Sequence, residues 1–127
     1  DVGNPSNFIR IQELFDNNLS SLKKSFSSYS FSDDETKIMM KSIYDKFNYI
    51  SEPHGAIGYL GLQKHGLETN EFGVFLETAH PVKFLDIVEE TLSVDVEIPN
   101  QIRQVMSKEK VATSVSNYQE LKNFLIK

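Results

Sequence analysis

Apolar residues recur at helical spacing along most of the chain. Phe8, Ile11, Leu14, Phe15, Leu19 and Leu22 form a first stripe, and Ile38, Met39, Ile43, Tyr44 and Phe47 a second. Ala56, Ile57, Leu60 and Leu62 form a third. Each is the buried face expected of an amphipathic helix. Punctuation between them agrees. Asn4-Pro5-Ser6 reads as a turn and cap, with Asn4 and Asn7 more apt to cap the first helix than to bind a ligand. Ser25 to Ser32 reads as a surface loop, and Ser32-Asp-Asp-Glu35 as a capping box that opens the second helix. Pro53 fits the first turn of the third helix, and Gly66 its C-terminal cap. Within that helix Gly55, Gly58 and Gly61 recur every third residue, a spacing that serves close packing against a neighbouring element, here expected to be a sheet.

The period changes after Gly66. Phe72, Val74, Phe75 and Leu76 make a short, nearly continuous apolar run, predicted as a strand buried on both faces. Tyr49-Ile50 predicts a second, very short strand, and Val94, Val96 and Ile98 alternate with Asp95 and Glu97 in an extended segment that Pro99 stops. From Pro81, Phe84, Leu85, Ile87, Val88 and Leu92 return to helical spacing, with Asp86, Glu89 and Glu90 solvated. A short helix is expected around Ile102 and Met106. Ser116-Asn-Tyr-Gln119 reads as a capping box for a last helix that turns Tyr118, Leu121, Phe124 and Leu125 inward. The predicted class is α/β, mainly helical with one or two short strands. In such folds ligands gather beyond the carboxyl ends of strands and anions at helix starts. The 71–84 junction, with Thr78 and His80 between strand and helix, is therefore the place to look for chemistry.

Composition narrows the function. Thirteen Lys and Arg against 18 Asp and Glu give a net charge of -5, which argues against a phosphate-backbone binder, so nucleic acid is not an expected partner. Cysteine is absent, which removes disulfides and thiolate metal sites and suits a cytoplasmic location. No apolar run approaches the ~20 residues of a membrane span. No metal site is expected. Asp33, Asp34 and Glu35 are acidic where a helix dipole favours it, and Met39 and Met40 read as core filler.

Three segments carry a family resemblance. Thr78-Ala-His-Pro-Val-Lys-Phe84 resembles the Thr-Ala-His-Pro-x-Lys-Phe signature of threonine synthases, pyridoxal-phosphate enzymes that convert O-phospho-L-homoserine and water to L-threonine and phosphate. Asp1-Val-Gly-Asn-Pro-Ser-Asn-Phe8 and Ser51-Glu-Pro-His-Gly-Ala-Ile-Gly-Tyr59 are similar to two further segments of that family, in the same order. The resemblance implies a C-terminal portion of a fold type II pyridoxal-phosphate enzyme, residues 1–127 forming one domain-sized piece. Its Schiff-base lysine and phosphate-binding loop would lie upstream, so no catalytic residue is expected here and the piece alone is expected to be inactive. The implied partners are the N-terminal remainder of the same chain and O-phosphohomoserine, and a lone strand also predicts marginal stability or self-association. Two alternatives stand beside this reading: a threonine-synthase-like phospholyase, and a non-catalytic interaction domain.

Thr78 matches the family's threonine whose hydroxyl faces the pyridine nitrogen of the cofactor. Without the resemblance, a strand-closing Thr more often bonds its neighbouring backbone. His80 and His54, each beside a proline at a helix start, are candidates to line the active site or to cap backbone donors. Lys83 is a candidate to place positive charge near a phosphate or simply to be solvated. Glu77 departs from the small residue common before that threonine. Strand alternation is expected to turn its carboxylate away from Thr78; on the same face it would compete for the pyridine nitrogen.

Overall fold

The computed structural model describes residues 5–126, and the expectations for Asp1 to Asn4 lie outside them. The described residues form seven α-helices and one 3-10 helix. These are α1 (Phe8–Leu14), α2 (Leu19–Ser25), α3 (Asp33–Phe47), α4 (Pro53–His65), the 3-10 turn Pro81–Phe84, α5 (Leu85–Leu92), α6 (Asn100–Met106) and α7 (Tyr118–Leu125). The chain divides into two compact units at the Val96–Glu97 bond.

The first unit is organised on α3, which packs against α4 and α5. Met39, Met40 and Ile43 of α3, Ala56 of α4, and Val88, Leu92 and Val96 form the core, with Met40, Ala56 and Val88 fully buried. Burying a side chain the size of Met40 or Val88 contributes about 1.5–3 kcal/mol. Local chemistry fixes where α3 begins and ends. Ser32 Oγ accepts from Glu35 N at 3.2 Å while the Glu35 carboxylate accepts from Ser32 N at 2.7 Å, so the capping box is closed. Donation to the carboxylate from Ser32 N and from the Ser32 hydroxyl holds the Glu35 pKa below its ordinary value. At the other end Asn48 adopts the left-handed conformation that Asn tolerates better than most residues.

Several expectations are corrected. The first stripe is two helices, because Asp16 and Asn17 both take positive φ, 51° and 55°, and Asn18 then caps α2 by accepting from Ser21 N at 3.0 Å. Asn7 occupies the N-cap of α1 without a side-chain bond. The α/β class with one or two short strands gives way to a helical fold, since no strand occurs among the described residues. Tyr49-Ile50, residues 71–76 and residues 94–98 lie outside any helix, but a strand requires a partner for its backbone N–H and C=O groups, and none of these segments meets one. Glu89 is not merely solvated, because its carboxylate accepts from Val96 N at 2.9 Å and fastens the end of the core.

In the second unit α6 and α7 contain no buried residue. The cap of the final helix is displaced by one position from the one expected, and the box is not closed, because Glu120 accepts from the residue before the cap. Asn117 Oδ1 accepts from Glu120 N at 3.0 Å and Glu120 accepts from Ser116 N at 2.7 Å. Tyr118, Leu121, Phe124 and Leu125 are exposed instead of inward.

Candidate active-site wall at the start of α4

The N-terminus of α4 gathers most of the polar candidates. Its cap is Glu52, a residue type seldom buried, yet here fully so. One carboxylate oxygen accepts from Gly55 N at 3.1 Å, and the other from His54 N at 3.0 Å and His54 Nδ1 at 2.7 Å. The charge is thus held by two backbone donors at a helix start and an imidazole N–H. Pro53 at the first helical position leaves no donor wasted. The same bonds orient His54, whose ring stays largely exposed and lies 5.0 Å from the Phe84 ring, centroid to centroid. Lys83 Nζ stands 5.4 Å from the centre of that Phe84 ring, within cation–π range.

The second wall of the site is the extended segment before Thr78. Gly73, Phe75 and Glu77 face α4. Cβ atoms added at Gly58 and Gly55 would meet Phe75 and Glu77, and one added at Gly73 would meet Leu62. Gly55 and Gly58 of the α4 stripe therefore do serve close packing, but against this single segment and not a sheet, while Gly61 lies beside Tyr29. Phe72, Val74 and Leu76 alternate to the other side and are 96%, 80% and 73% exposed. One face of the run is covered and the other bare, which corrects the expectation of burial on both.

Glu77 ends the inward-facing series. Its Oε1 accepts from the Ser51 hydroxyl at 2.6 Å, and its carboxylate occupies the space beside Gly55 that a side chain would otherwise fill. Ser51 is itself fully buried. Burial of the neighbouring Tyr49 phenol raises its pKa above the ordinary value, and the Glu77 and Glu52 carboxylates raise it further.

Thr78 follows immediately and is exposed. Thr36 Oγ1 returns to a backbone carbonyl, bonding Ser32 O at 2.9 Å, whereas the Thr78 side chain makes no such bond among the described residues. His80 turns to its own helix start, its Nδ1 accepting from Val82 N at 3.1 Å to cap the 3-10 turn. The structure brings His54 and Lys83 onto Phe84, places Thr78 beside the tethered Glu77, and leaves His80 as a cap. Sequence reasoning overlooked Glu52 and Ser51. The only signal for them was their position immediately before Pro53, where an N-cap is expected.

Fold and site together define a class: a helical, site-bearing segment that displays polar side chains at a helix start beside an extended run lacking sheet partners. Residues 55–125 match the family described as "Threonine synthase, C-terminal". The chain is 37% identical over 127 residues to threonine synthase from Buchnera aphidicola of the pea aphid Acyrthosiphon pisum, covering 99% of this chain and 29% of that protein. Against threonine synthase from Escherichia coli it is 36% identical over 104 residues, 82% of this chain and 24% of the relative. The crystal structure of threonine synthase from Escherichia coli superposes with a TM-score of 0.77 at 28% identity, over 99% of this chain and 29% of that one. The chain belongs to the threonine synthase family, as its C-terminal part, and spans 29% of the length of the Buchnera relative.

Proposed function

We propose that the polypeptide carrying this chain is a pyridoxal-phosphate-dependent lyase of fold type II that converts O-phospho-L-homoserine and water to L-threonine and phosphate. In this reading residues 1–127 supply one wall of the active site. The observation that carries it is the exposed Thr78, its hydroxyl without a backbone partner among the described residues, at the end of a segment pinned to α4, in a chain matched along 99% of its length to a threonine synthase. The residues present suit the cofactor. A neutral hydroxyl is a fitting partner for the pyridine nitrogen, and the Glu77 carboxylate that would compete for that nitrogen is engaged by Ser51. When bound, pyridoxal phosphate supplies an electron sink for carbanion character at the substrate.

The chain's own residues then act as positioners. Thr78 Oγ1 would hold the cofactor at its pyridine nitrogen, as a neutral hydroxyl partner. His54, its Nδ1–H committed to Glu52, presents Nε2 outward as a fixed polar edge of the cavity. Lys83 adds positive charge beside it for a phosphate-bearing substrate, and His80 preserves the turn that follows Thr78. The catalytic lysine and the phosphate-binding loop come from the N-terminal remainder of the polypeptide, as does the cover for Phe72, Val74 and Leu76. Left bare, that apolar stripe gives the isolated chain a tendency to self-associate. Among the described residues no helix is long and apolar enough to cross a membrane, and we place the enzyme in the cytoplasm.

The test is phosphate release from O-phosphohomoserine by the complete polypeptide, beside its Thr78→Val variant, with cofactor absorbance recorded for both. Activity in the parent and a large loss with altered absorbance in the variant is the expected result. A parent that binds the cofactor but releases no phosphate overturns the substrate, and activity untouched by Thr78→Val overturns the site.

A further inference from the structure

We infer that Glu77 is a positioning residue for Thr78 and that Gly55 is its seat. The inference rests on the proposed role of Thr78, but the geometry behind it is independent of any cofactor. The Glu77 carboxylate is fastened to the buried Ser51 hydroxyl at 2.6 Å. Ser51 Oγ also lies 3.0 Å from the Glu52 carbonyl, and its single proton goes to the shorter, charged acceptor. A Cβ at Gly55 would collide with both carboxylate oxygens and the carbon between them. The atoms in the way are the far end of a flexible side chain, so a methyl there would not split the backbone apart. It would expel the carboxylate and break its bond to Ser51.

The consequence reaches Thr78 through one peptide unit. Residues 71–78 have no ladder to hold them, and Phe75 on Tyr59 at 5.5 Å is the preceding aromatic contact on the inward face. The Glu77 tether is the last attachment to the α4 side before the exposed Thr78 hydroxyl. Its position on α4 is fixed in turn by Glu52, which caps the same helix turn that contains Gly55. A hydroxyl that must face one ring nitrogen needs its backbone placed to a fraction of an ångström, and positioning losses of that size are costly. Glu77 therefore acts on the reaction through Thr78, without touching substrate or cofactor.

The experiment uses the complete polypeptide with cofactor bound and four variants: Gly55→Ala, Glu77→Ala, their double, and Glu77→Gln, whose amide oxygen can still accept from Ser51. Turnover, KM for O-phosphohomoserine, cofactor absorbance and thermal midpoint are read for each. Gly55→Ala and Glu77→Ala are each expected to lower kcat about tenfold with KM within twofold, and to shift absorbance in the direction seen for Thr78→Val. The double variant is expected to be no worse than Glu77→Ala alone, because the methyl then enters vacated space, and Glu77→Gln to stay within about threefold of the parent. Losses that multiply in the double variant overturn the pairing of Gly55 with Glu77. A lowered thermal midpoint with kcat and absorbance unchanged reduces Glu77 to a structural residue and overturns its positioning role. Failure of the underlying reading looks different, since Thr78→Val itself would then leave turnover and absorbance at parent values.

Discussion

Residues 33–96 and residues 97–126 are both rich in amphipathic helix, yet they differ in what their apolar stripes do. In the first, α3, α4 and α5 bury Met40, Ala56 and Val88 completely, and both ends of α3, the start of α4 and the end of α5 are tied by a side chain or a left-handed residue. In the second, α7 has an equally clear stripe and a well-formed cap at Asn117, but none of its residues is buried. Capping and periodicity therefore specify that a helix forms, while burial depends on what other chain is available to pack on it. The candidate site follows the same division. Most of its groups stand on or beside the α4 end that the core holds.

Substitutions should reproduce this contrast, read by urea unfolding of this chain. Met40→Ala leaves a cavity in the fully packed core and should cost about 3 kcal/mol, the largest of the set. Glu52→Ala strips the acceptor from the His54 and Gly55 backbone donors and should cost about 2 kcal/mol. Ser32→Ala removes one half of the α3 capping box, for about 1 kcal/mol. Leu121→Ala in α7 should change stability by less than about 0.5 kcal/mol, and a core-sized loss there would erase the distinction between the two regions.

The smallest effect is electrostatic. The Tyr49 pKa is raised in the folded chain, so the stabilisation from its neutral phenol is complete below the ordinary tyrosine range and lost as pH climbs through the raised value. A slight alkaline loss of stability that disappears in Tyr49→Phe is expected from pH-dependent melting. Glu35 runs the other way. Its lowered pKa gives stability present above the ordinary glutamate range and lost as pH falls below it, a loss that Glu35→Gln should blunt.

Local signals were legible in the sequence and pairing was not. Ser32 with Glu35, Pro53 at a helix start and Gly66 at its end act through neighbours a few residues away, and the structure uses each as expected. The last cap slipped by one because Ser116 and Asn117 are both competent caps, and the Glu120 side chain selects Asn117. The 71–76 run carries strand composition, but strand status depends on a partner that local sequence does not contain. The break at Asp16 and Asn17 was hidden beneath an unbroken apolar period. At the candidate site, Thr78 and His80 stood out at the junction and, with His54 and Lys83, through family resemblance, whereas Glu52 was passed over because a buried carboxylate is rare unless donors surround it.

The most direct test of the claim that the site is presented from a rigid α4 start is amide hydrogen exchange on this chain. The account predicts that the His54 and Gly55 amides, both bonded to the buried Glu52 carboxylate, exchange far more slowly than those of residues 121–125 in α7. Equal rates in the two places would contradict it, because the groups at the α4 start would then have no firmer support than the exposed helix.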